Sequence, residues 1–310
     1  MEIDKPPKLA AIAAGVASLW PLHAKYLAKS FTDYGREDLD LLETLADKIT
    51  QIMGDDSDRY YKSYRWMCEI FNKEAFYFKK FKKYRIRSFE EAEKEVYSNR
   101  AFMTKYMEGL LVSQLLWKNH SSSFLFFKKK FLRGVQSDFR YLEIGPGHGL
   151  YIAAAAAQEG CVRAVGWDVS VESLRQTAHA LARLGVLNKV VLDRQDLHAP
   201  TPHQQLDHVF DKVAVCEVLE HLEQPREALI ALRRYLAPGA LLYVNVPINS
   251  PAPDHIYLLR TEKEVRSLFF EAGLTIVDFV MAPLTGYSLD QAIAADLTVN
   301  CLILARDTHG

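Results

Sequence analysis

The stretch YLEIGPGHGLYIAA contains three glycines at every second position, and an acid lies two residues before the first glycine. Gly145, Gly147 and Gly149 allow a chain to turn sharply and to bring bare backbone against a ligand. The carboxylate of Glu143 would repel a pyrophosphate and attract a cationic ligand. These residue types therefore indicate a site for a nucleotide-like ligand that carries positive charge.

The spacing of the glycines departs from the dinucleotide fingerprint. That fingerprint needs a further glycine three residues after its second one, and Leu150 occupies this position. The pattern is GxGxG, which makes NAD a poorer fit.

A glycine turn of this kind needs a strand before it and a helix after it. From about residue 134 the sequence alternates short apolar strands with amphipathic helices, which predicts a Rossmann-like, doubly wound and mostly parallel sheet of seven strands. One predicted helix is PREALIALRRYLAP, and the last two strands are expected to pair antiparallel because their connection is short. The predicted strands are FRYLEIG, VRAVGWDVS, KVVLDRQDL, FDKVAVCEVL, GALLYVNVP, LTIVDFVMAP and LTVNCLILARD. Ligands of such sheets bind at the carboxyl ends of the strands.

The residues before this alternation predict an all-helical domain. Leucine and isoleucine recur at three- and four-residue steps over Glu37–Met53. The segment 60–78 is rich in aromatic residues with a helical period, Ser88 is a good N-cap for 89–97, and 99–119 is a long amphipathic helix. We therefore expect a helical domain over 1–134 and an α/β domain over 135–310.

Charge and composition agree with two modules. Residues 1–134 hold 24 Lys and Arg against 18 Asp and Glu, whereas the remainder holds 14 against 21. The chain of 310 residues is 49% hydrophobic, yet no apolar run approaches the roughly 18 residues of a membrane span. Its four cysteines are far apart and form no CxxC pair, which favours the reducing cytoplasm over a disulfide framework.

From about Phe139 the sequence resembles the class I S-adenosylmethionine (SAM) methyltransferases, and within them the small-molecule enzymes of the ubiquinone-biosynthesis type. EIGPGHG resembles their first motif, E/DxGxGxG, and VGWDVS resembles their second strand with its terminal acid. DRQDL resembles the third strand region, and CEVLEHLEQP with LRRYLAPGALLYVNVP the fourth and fifth. The resemblance ends near Asp307, and residues 1–134 resemble no family.

This resemblance implies SAM as the cofactor and S-adenosylhomocysteine as the product. It implies that the backbone of Gly145, Gly147 and Gly149 passes under the methionine and ribose of SAM. Glu143 is expected to act through the geometry of the loop and through its charge near the sulfonium.

The resemblance also assigns the other contacts of the cofactor. Asp168, followed by Val169 at the end of the second strand, is expected to accept both ribose hydroxyls; its alternative role is that of an acid at a helix start. Asp196 is expected to accept from the adenine amino group, with Leu197 near the ring, and Asp193 is an alternative to Asp196.

Two histidines are candidates for removing a proton from the acceptor. His221 follows the fourth predicted strand and His255 follows the fifth, so both belong to the carboxyl edge of the sheet. Histidine suits proton transfer near neutral pH, although a structural role stays open for each. Glu217 and Glu220 are expected to line the SAM pocket or to orient these groups. Because the spacing of Glu217, Glu220 and His221 is weak for a metal site, no metal is expected.

The helical domain is expected to cap the substrate pocket. Two stretches, NKEAFYFKKFKKYRIR and LLWKNHSSSFLFFKKK, combine aromatic and basic residues. They form either a recognition surface for an anionic or aromatic acceptor or an aromatic core surrounded by solvated lysines. The candidate acceptor contacts are Tyr106, Trp117, Asn119, His120 and Asp254.

These observations together predict a SAM-dependent methyltransferase for a small molecule of specialised metabolism, with oxygen before nitrogen or carbon as the acceptor atom. A nucleic-acid substrate is not expected, because CEVLEHL stands where aminomethylating nucleic-acid enzymes carry (N/D)PP(Y/F), and no membrane association is expected. The alternatives are an inactive methyltransferase-like binding protein and, less favoured, a NAD-dependent oxidoreductase.

Overall fold

A computed structural model describes residues 7–133, 138–197 and 207–308 of the chain. The predicted domain boundary between residues 134 and 135 lies outside the described residues. Among those that are described, no helix combines the length and apolar character needed to span a bilayer.

The amino-terminal part is helical, as the periodicity predicted, and we call residues 7–133 the cap. Two helices continue as π-helical turns, at Glu93–Tyr97 and Phe127–Phe131. The predicted helix over Glu37–Met53 is α3, whose leucine and isoleucine side chains face the core of the cap. The helices of the cap are α1 (Pro7–Leu19), α2 (Ala24–Ser30), α3 (Arg36–Met53), α4 (Ser57–Phe81), α5 (Phe89–Ala92), α6 (Arg100–Leu116) and α7 (Lys118–Phe126).

The helix predicted over 99–119 is wrong at its carboxyl end. It stops at Leu116, because Trp117 has the extended backbone angles φ −96° and ψ 123°. The indole Nε1 of Trp117 donates to the hydroxyl of Tyr64 at 3.0 Å, and its ring packs edge-on against Phe71 at 5.3 Å. These tertiary contacts within the cap fix the break between α6 and α7, and a helical period does not reveal them.

The second part is a seven-stranded sheet of mostly parallel strands, which confirms the predicted fold class. The strand order is β3-β2-β1-β4-β5-β7-β6, and β7 is antiparallel to both of its neighbours. The strands are β1 (Phe139–Ile144), β2 (Cys161–Asp168), β3 (Val190–Arg194), β4 (Phe210–Cys216), β5 (Leu236–Ile248), β6 (Leu274–Pro283) and β7 (Val299–Asp307). The helices between them are α8 (Leu150–Ala156), α9 (Val171–Arg183), α10 (Pro225–Arg233), α11 (Glu262–Glu271) and α12 (Leu289–Ala294).

Two boundaries differ from the sequence prediction. The helix predicted over PREALIALRRYLAP ends at Arg233, and β5 already begins at Leu236. Leu236 is buried and pairs with Phe210 of β4, so strand pairing outweighs the local helical pattern. The short helix α12 between β6 and β7 was not predicted.

The cap and the sheet share one hydrophobic core. Phe127 and Phe131 are fully buried and pack against Tyr141 of β1 and Tyr243 of β5. The Ser123 hydroxyl lies 2.7 Å from the hydroxyl of Tyr243. This packing holds the cap against the sheet, with α6 beside the edge where the parallel strands end.

Candidate active site

A cavity of about 770 Å³ lies between the cap and the carboxyl ends of the parallel strands. Its floor consists of the loops that follow β1, β2, β4 and β5, and its roof consists of residues from the cap. The cavity therefore occupies the edge at which the sequence placed a ligand.

The glycine loop after β1 lines this cavity with backbone. Gly145, Gly147 and Gly149 have φ of 65°, 48° and 76°, which side chains disfavour. A Cβ atom on Gly145 would lie 2.6 Å from the Val218 side chain. The Thr177 hydroxyl donates to the Gly147 carbonyl at 2.7 Å and ties the loop to α9. Glycine is thus needed here for both conformation and space.

Glu143, two residues before the loop, is a buried acid that lines the cavity. The hydroxyl of Tyr141 donates to its carboxyl at 2.6 Å. Burial nevertheless raises the pKa of Glu143 to about 8. In the absence of a nearby cation, this carboxyl group therefore holds a proton near neutral pH.

Asp168 ends β2 and faces the same cavity, together with the exposed Val169. One carboxylate oxygen accepts from the Ser170 backbone N–H at 2.8 Å, and the other accepts from the Ser173 hydroxyl at 2.6 Å. Burial raises the pKa of Asp168. Each oxygen has a second lone pair, so the carboxylate can still accept from a ligand.

Asp196 and Leu197 lie apart from the cavity. Asp196 is exposed, Leu197 is buried in a second core on the sheet, and neither is among the residues that line the cavity. Arg194 at the end of β3 does line it. The adenine contact assigned to Asp196 stays a prediction.

Glu217, directly after β4, lines the cavity in a strained backbone conformation. Its φ is 54°, and its N–H donates to the Asn245 carbonyl at 2.9 Å. Its carboxylate accepts from the side chains of Asn245 at 2.8 Å and Asn300 at 2.6 Å. Burial raises the pKa of Glu217 to about 7. Sequence reasoning missed both asparagines, since β4, β5 and β7 come together only in the folded sheet.

The two predicted histidines meet at the edge of this site. Nδ1 of His255 lies 2.6 Å from the Ser250 carbonyl, and Nδ1 of His221 lies 3.1 Å from the Asp254 carbonyl. Because a carbonyl only accepts, each Nδ1 carries the proton and each Nε2 keeps a lone pair. Burial lowers the pKa of His255 to about 3, so its ring is neutral.

Both Nε2 atoms face Glu220, which the sequence placed beside the histidines or in the SAM pocket and which is not among the residues that line the cavity. Each lies 3.9 Å from one carboxylate oxygen of Glu220, which is fully buried. Apart from its own backbone N–H and the carboxyl group of Glu217, which can share a proton with it, Glu220 has no hydrogen-bond donor among the described residues. Burial raises the pKa of Glu220 well above its usual range. Either a proton on this carboxyl group or a cation among the three side chains compensates the charge.

The side chains of Glu220, His221 and His255 are a donor set that can hold a metal ion. One ligand atom from each residue lies within 4.8 Å of the other two. Two imidazole nitrogens and a carboxylate oxygen suit Zn²⁺ or Mn²⁺. The sequence expectation of no metal considered Glu217, Glu220 and His221, whereas the fold adds His255 from a different loop.

All five candidate acceptor contacts line the cavity. The hydroxyl of Tyr106 donates to Asp254 at 2.9 Å, and Nδ1 of His120 lies 3.0 Å from the Ser113 hydroxyl. Sequence reasoning missed further aromatic residues of the wall; the aromatic richness of α4 was a signal for Phe71, but the others lie outside that helix. The cap residues of the wall include Trp20, Tyr26, Phe71, Phe89, Tyr97, Tyr106, Trp117, Asn119 and His120.

The charges along the cavity differ between its two ends. No lysine lines it, and Arg194 is its one strong cation among the described residues. Near the glycine loop the wall carries several acids, whereas the exposed Glu93 is the charged side chain that the cap contributes. The acids of the wall are Glu93, Glu143, Asp168, Glu172, Glu217 and Asp254. The basic residues of the cap do not form a surface for an anionic acceptor in this cavity.

Comparisons with known proteins identify a methyltransferase domain within the α/β part. A family model described as a methyltransferase domain matches residues 142–242. An uncharacterized protein of Synechococcus sp. is 30% identical over 107 residues, which are 34% of this chain and 25% of that protein. The chain thus spans about a quarter of the length of this relative. The ubiquinone biosynthesis O-methyltransferase of Pseudomonas aeruginosa is 24% identical over 184 residues, which are 53% of this chain and 76% of that enzyme.

Solved structures share the fold at low sequence identity. Phosphoethanolamine N-methyltransferase 2 of Haemonchus contortus, solved with S-adenosyl-L-methionine, is similar with a TM-score of 0.53. The similarity covers 72% of this chain and 60% of that chain at 14% identity.

Substitution of Glu220 tests how its charge is compensated. Glu220→Gln removes an uncompensated carboxylate, so in the presence of a chelator the variant should be at least as stable as wild type at pH 8. The raised pKa means that the folded wild type loses stability as the pH rises above the unfolded pKa, and Gln lacks that loss. Added Mn²⁺ should raise the melting temperature of wild type but not of the variant, with His208→Gln as a remote control. Equal responses of wild type and Glu220→Gln to Mn²⁺ in calorimetric melts would contradict the cation site.

Proposed function

We propose that this chain, which belongs to the class I SAM-dependent methyltransferases and uses SAM as its cofactor, transfers the methyl group of SAM to a small-molecule acceptor. The observation that carries the proposal is the shared cavity, which joins a glycine loop and strand-end acids on one side to histidines and aromatic residues on the other. An oxygen acceptor is favoured, followed by nitrogen or carbon, because the histidines offer lone pairs for a hydroxyl proton.

The acid-lined end of the cavity fits a cationic cofactor. Glu143 and Asp168 are the acids next to the glycine loop, and positive charge nearby favours their ionised forms. We assign the ribose hydroxyls to Asp168 and the remaining contact surface to the backbone of Gly145–Gly149. SAM supplies a methyl group on a sulfonium, so the residues of this end have only to bind and orient it.

The histidine end supports removal of a proton from the acceptor. Methyl transfer to a hydroxyl forms an oxygen–methyl bond, breaks the sulfur–methyl bond and releases one proton. His221 and His255 both line the cavity. Each keeps an Nε2 lone pair, 3.9 Å from Glu220, and we assign removal of that proton to this histidine pair. Because burial lowers the pKa of His255 to about 3, His255 is a weak base, and His221 is the better assignment.

The roof of the cavity supports an uncharged acceptor with an apolar body. Trp20, Tyr26, Phe71 and Trp117 supply aromatic surface there. Lysine is absent from the described lining residues, and the one strong cation, Arg194, lies at the end of β3 and donates to the Val169 carbonyl at 3.1 Å. The cap therefore offers a carboxylate or phosphate of the acceptor no cationic partner, and an unpaired buried charge is strongly unfavourable. The proposal thus favours the aromatic alternative over the anionic one.

Asp168 tests the cofactor assignment. Asp168→Ala should weaken SAM binding by roughly 1.5–3 kcal/mol, because it removes a charged hydrogen-bond acceptor. Asp278→Ala is the matched control, since Asp278 lies on β6 at the far side of the sheet and pairs with Lys130 at 3.6 Å. Isothermal titration calorimetry with SAM gives both affinities. Unaltered SAM affinity in a folded Asp168→Ala variant would contradict the assignment of the ribose hydroxyls to Asp168.

The raised pKa of Glu143 predicts that cofactor binding releases a proton. At pH 7 its carboxyl group is mostly protonated in the free protein, since its pKa is about 8. The charge of SAM should ionise it, so binding should release close to one proton and strengthen as the pH rises toward 8. Titration calorimetry in two buffers of different ionisation enthalpy measures the release. Glu143→Gln should abolish it, whereas a release that persists there and disappears in Glu217→Gln would reassign the proton to Glu217.

The acceptor class is tested by turnover. Formation of S-adenosylhomocysteine should occur with neutral phenols of a panel and not with matched phenols that carry a carboxylate or a phosphate. His221→Gln should lower the rate by about 10²–10⁴-fold at unchanged SAM affinity. Equal turnover of the charged phenols would contradict the assignment of the roof, and stabilisation by NAD but not by SAM in a thermal-shift assay would contradict the proposed function itself.

A further inference from the structure

One segment of the cap lies across the loops that carry the two histidines. We call residues 82–97, between α4 and α6, the strap. The Tyr84 hydroxyl accepts from the Ser250 backbone N–H at 2.9 Å, after β5. The Phe89 N–H donates to Glu223 at 2.8 Å, after β4. The strap therefore contacts both loops of the proposed proton-transfer site.

Asp254, on the loop after β5, is the point where these contacts converge. Its side chain is almost fully buried, with 2% of the residue exposed. The Tyr97 hydroxyl, at the end of the strap, donates to one carboxylate oxygen at 3.2 Å, and the Tyr106 hydroxyl of α6 donates to the other at 2.9 Å. A buried carboxylate without donors is strongly unfavourable. The cap therefore stabilises Asp254 by supplying the hydrogen-bond donors for its carboxylate.

The π-helical turn of the strap positions the Tyr97 hydroxyl within hydrogen-bond distance of Asp254. The turn Glu93–Tyr97 is π-helical and closes with a hydrogen bond of 2.7 Å from the Ser98 N–H to the Glu93 carbonyl. A π-helical turn holds one residue more than an α-helical turn, and such turns are frequent at functional sites. The extra residue moves Tyr97 around the helix axis relative to an α-helix that starts at the same N-cap.

Asp254 in turn holds His221. Nδ1 of His221 lies 3.1 Å from the Asp254 carbonyl and 3.4 Å from its carboxylate. It also lies 3.1 Å from the Tyr97 hydroxyl oxygen, which can accept because its own proton goes to Asp254. Two of the three acceptors around this nitrogen thus belong to Asp254. Whatever fixes Asp254 also fixes the tautomer in which Nε2 of His221 keeps its lone pair.

We propose that Tyr97 and Tyr106 are positioning residues, which act through Asp254 to keep the proton of His221 on Nδ1 and a lone pair on its Nε2. Their consequence for turnover rests on the proposed methyl transfer, whereas their effect on His221 does not. The cap then contributes to the proton-transfer step as well as to the wall of the cavity.

The test observes the tautomer of His221 directly. The full chain is labelled with ¹⁵N-histidine, and long-range ¹H–¹⁵N correlation spectra assign the protonated nitrogen, with His221→Gln identifying the signals. The wild type should show Nδ1 protonated. In the double variant Tyr97→Phe/Tyr106→Phe the ratio of the two tautomers should shift by at least about tenfold toward Nε2–H, as expected for the loss of hydrogen bonds to a charged group.

Tyr34→Phe is the matched control. It removes a tyrosine hydroxyl of the cap that lies 2.7 Å from the Ser121 hydroxyl and is not among the residues that line the cavity. It should leave the tautomer of His221 unchanged. SAM affinity, measured by calorimetry, should be unaltered in both the double variant and Tyr34→Phe and thereby report an intact fold.

A second variant, Asp254→Asn, tests the same proposal if the tyrosine double variant does not fold. Asp254→Asn keeps the shape of the side chain but replaces one acceptor oxygen with a donor, so it should shift the tautomer in the same direction. Retention of the Nδ1–H tautomer in both the tyrosine double variant and Asp254→Asn would overturn the proposal. A shifted tautomer in a protein that shows no methyl transfer would instead sustain the positioning role and reject the proposed function.

Discussion

Burial of several acids at one edge of the sheet is the constraint on which the rest of the site depends. Removing a carboxylate from water disfavours its charged form unless hydrogen bonds or cations compensate it. The fold supplies a different partner for each: Tyr141 for Glu143, serines of α9 for Asp168, asparagines of β5 and β7 for Glu217, and cap tyrosines for Asp254. Glu220 stands apart, because two imidazole lone pairs face it instead of donors.

Because cap tyrosines donate to the buried Asp254, the cap is part of the site. The donors to Asp254 come from α6 and the strap, while Phe127 and Phe131 join the cap to β1 and β5 in one core. The same core orients α6 along the strand ends, where Tyr106 reaches the loop after β5. The packing of the cap against the sheet therefore also places the tyrosine donors beside Asp254.

The two ends of the cavity separate the tasks of the protein. The end beside the glycine loop is acidic and belongs to the part that resembles known methyltransferases, residues 142–242. The roof is aromatic and, apart from Glu93 at its exposed margin, uncharged. In the proposed function, the acidic end therefore binds the cofactor and the aromatic roof selects the acceptor.

The sequence by itself determined the α/β class, the helical character of the cap and the position of the glycine loop. It did so because strand and helix periods, and glycines that must adopt positive φ, are local properties of the chain. Only the tertiary structure decided the rest. It ended the helix at Leu116, placed Asn245 and Asn300 against Glu217, gathered Glu220 with His221 and His255, and directed Tyr97 to Asp254. Apart from the neighbours Glu220 and His221, these contacts join residues distant in sequence, and no local pattern encodes which buried acid will meet which donor.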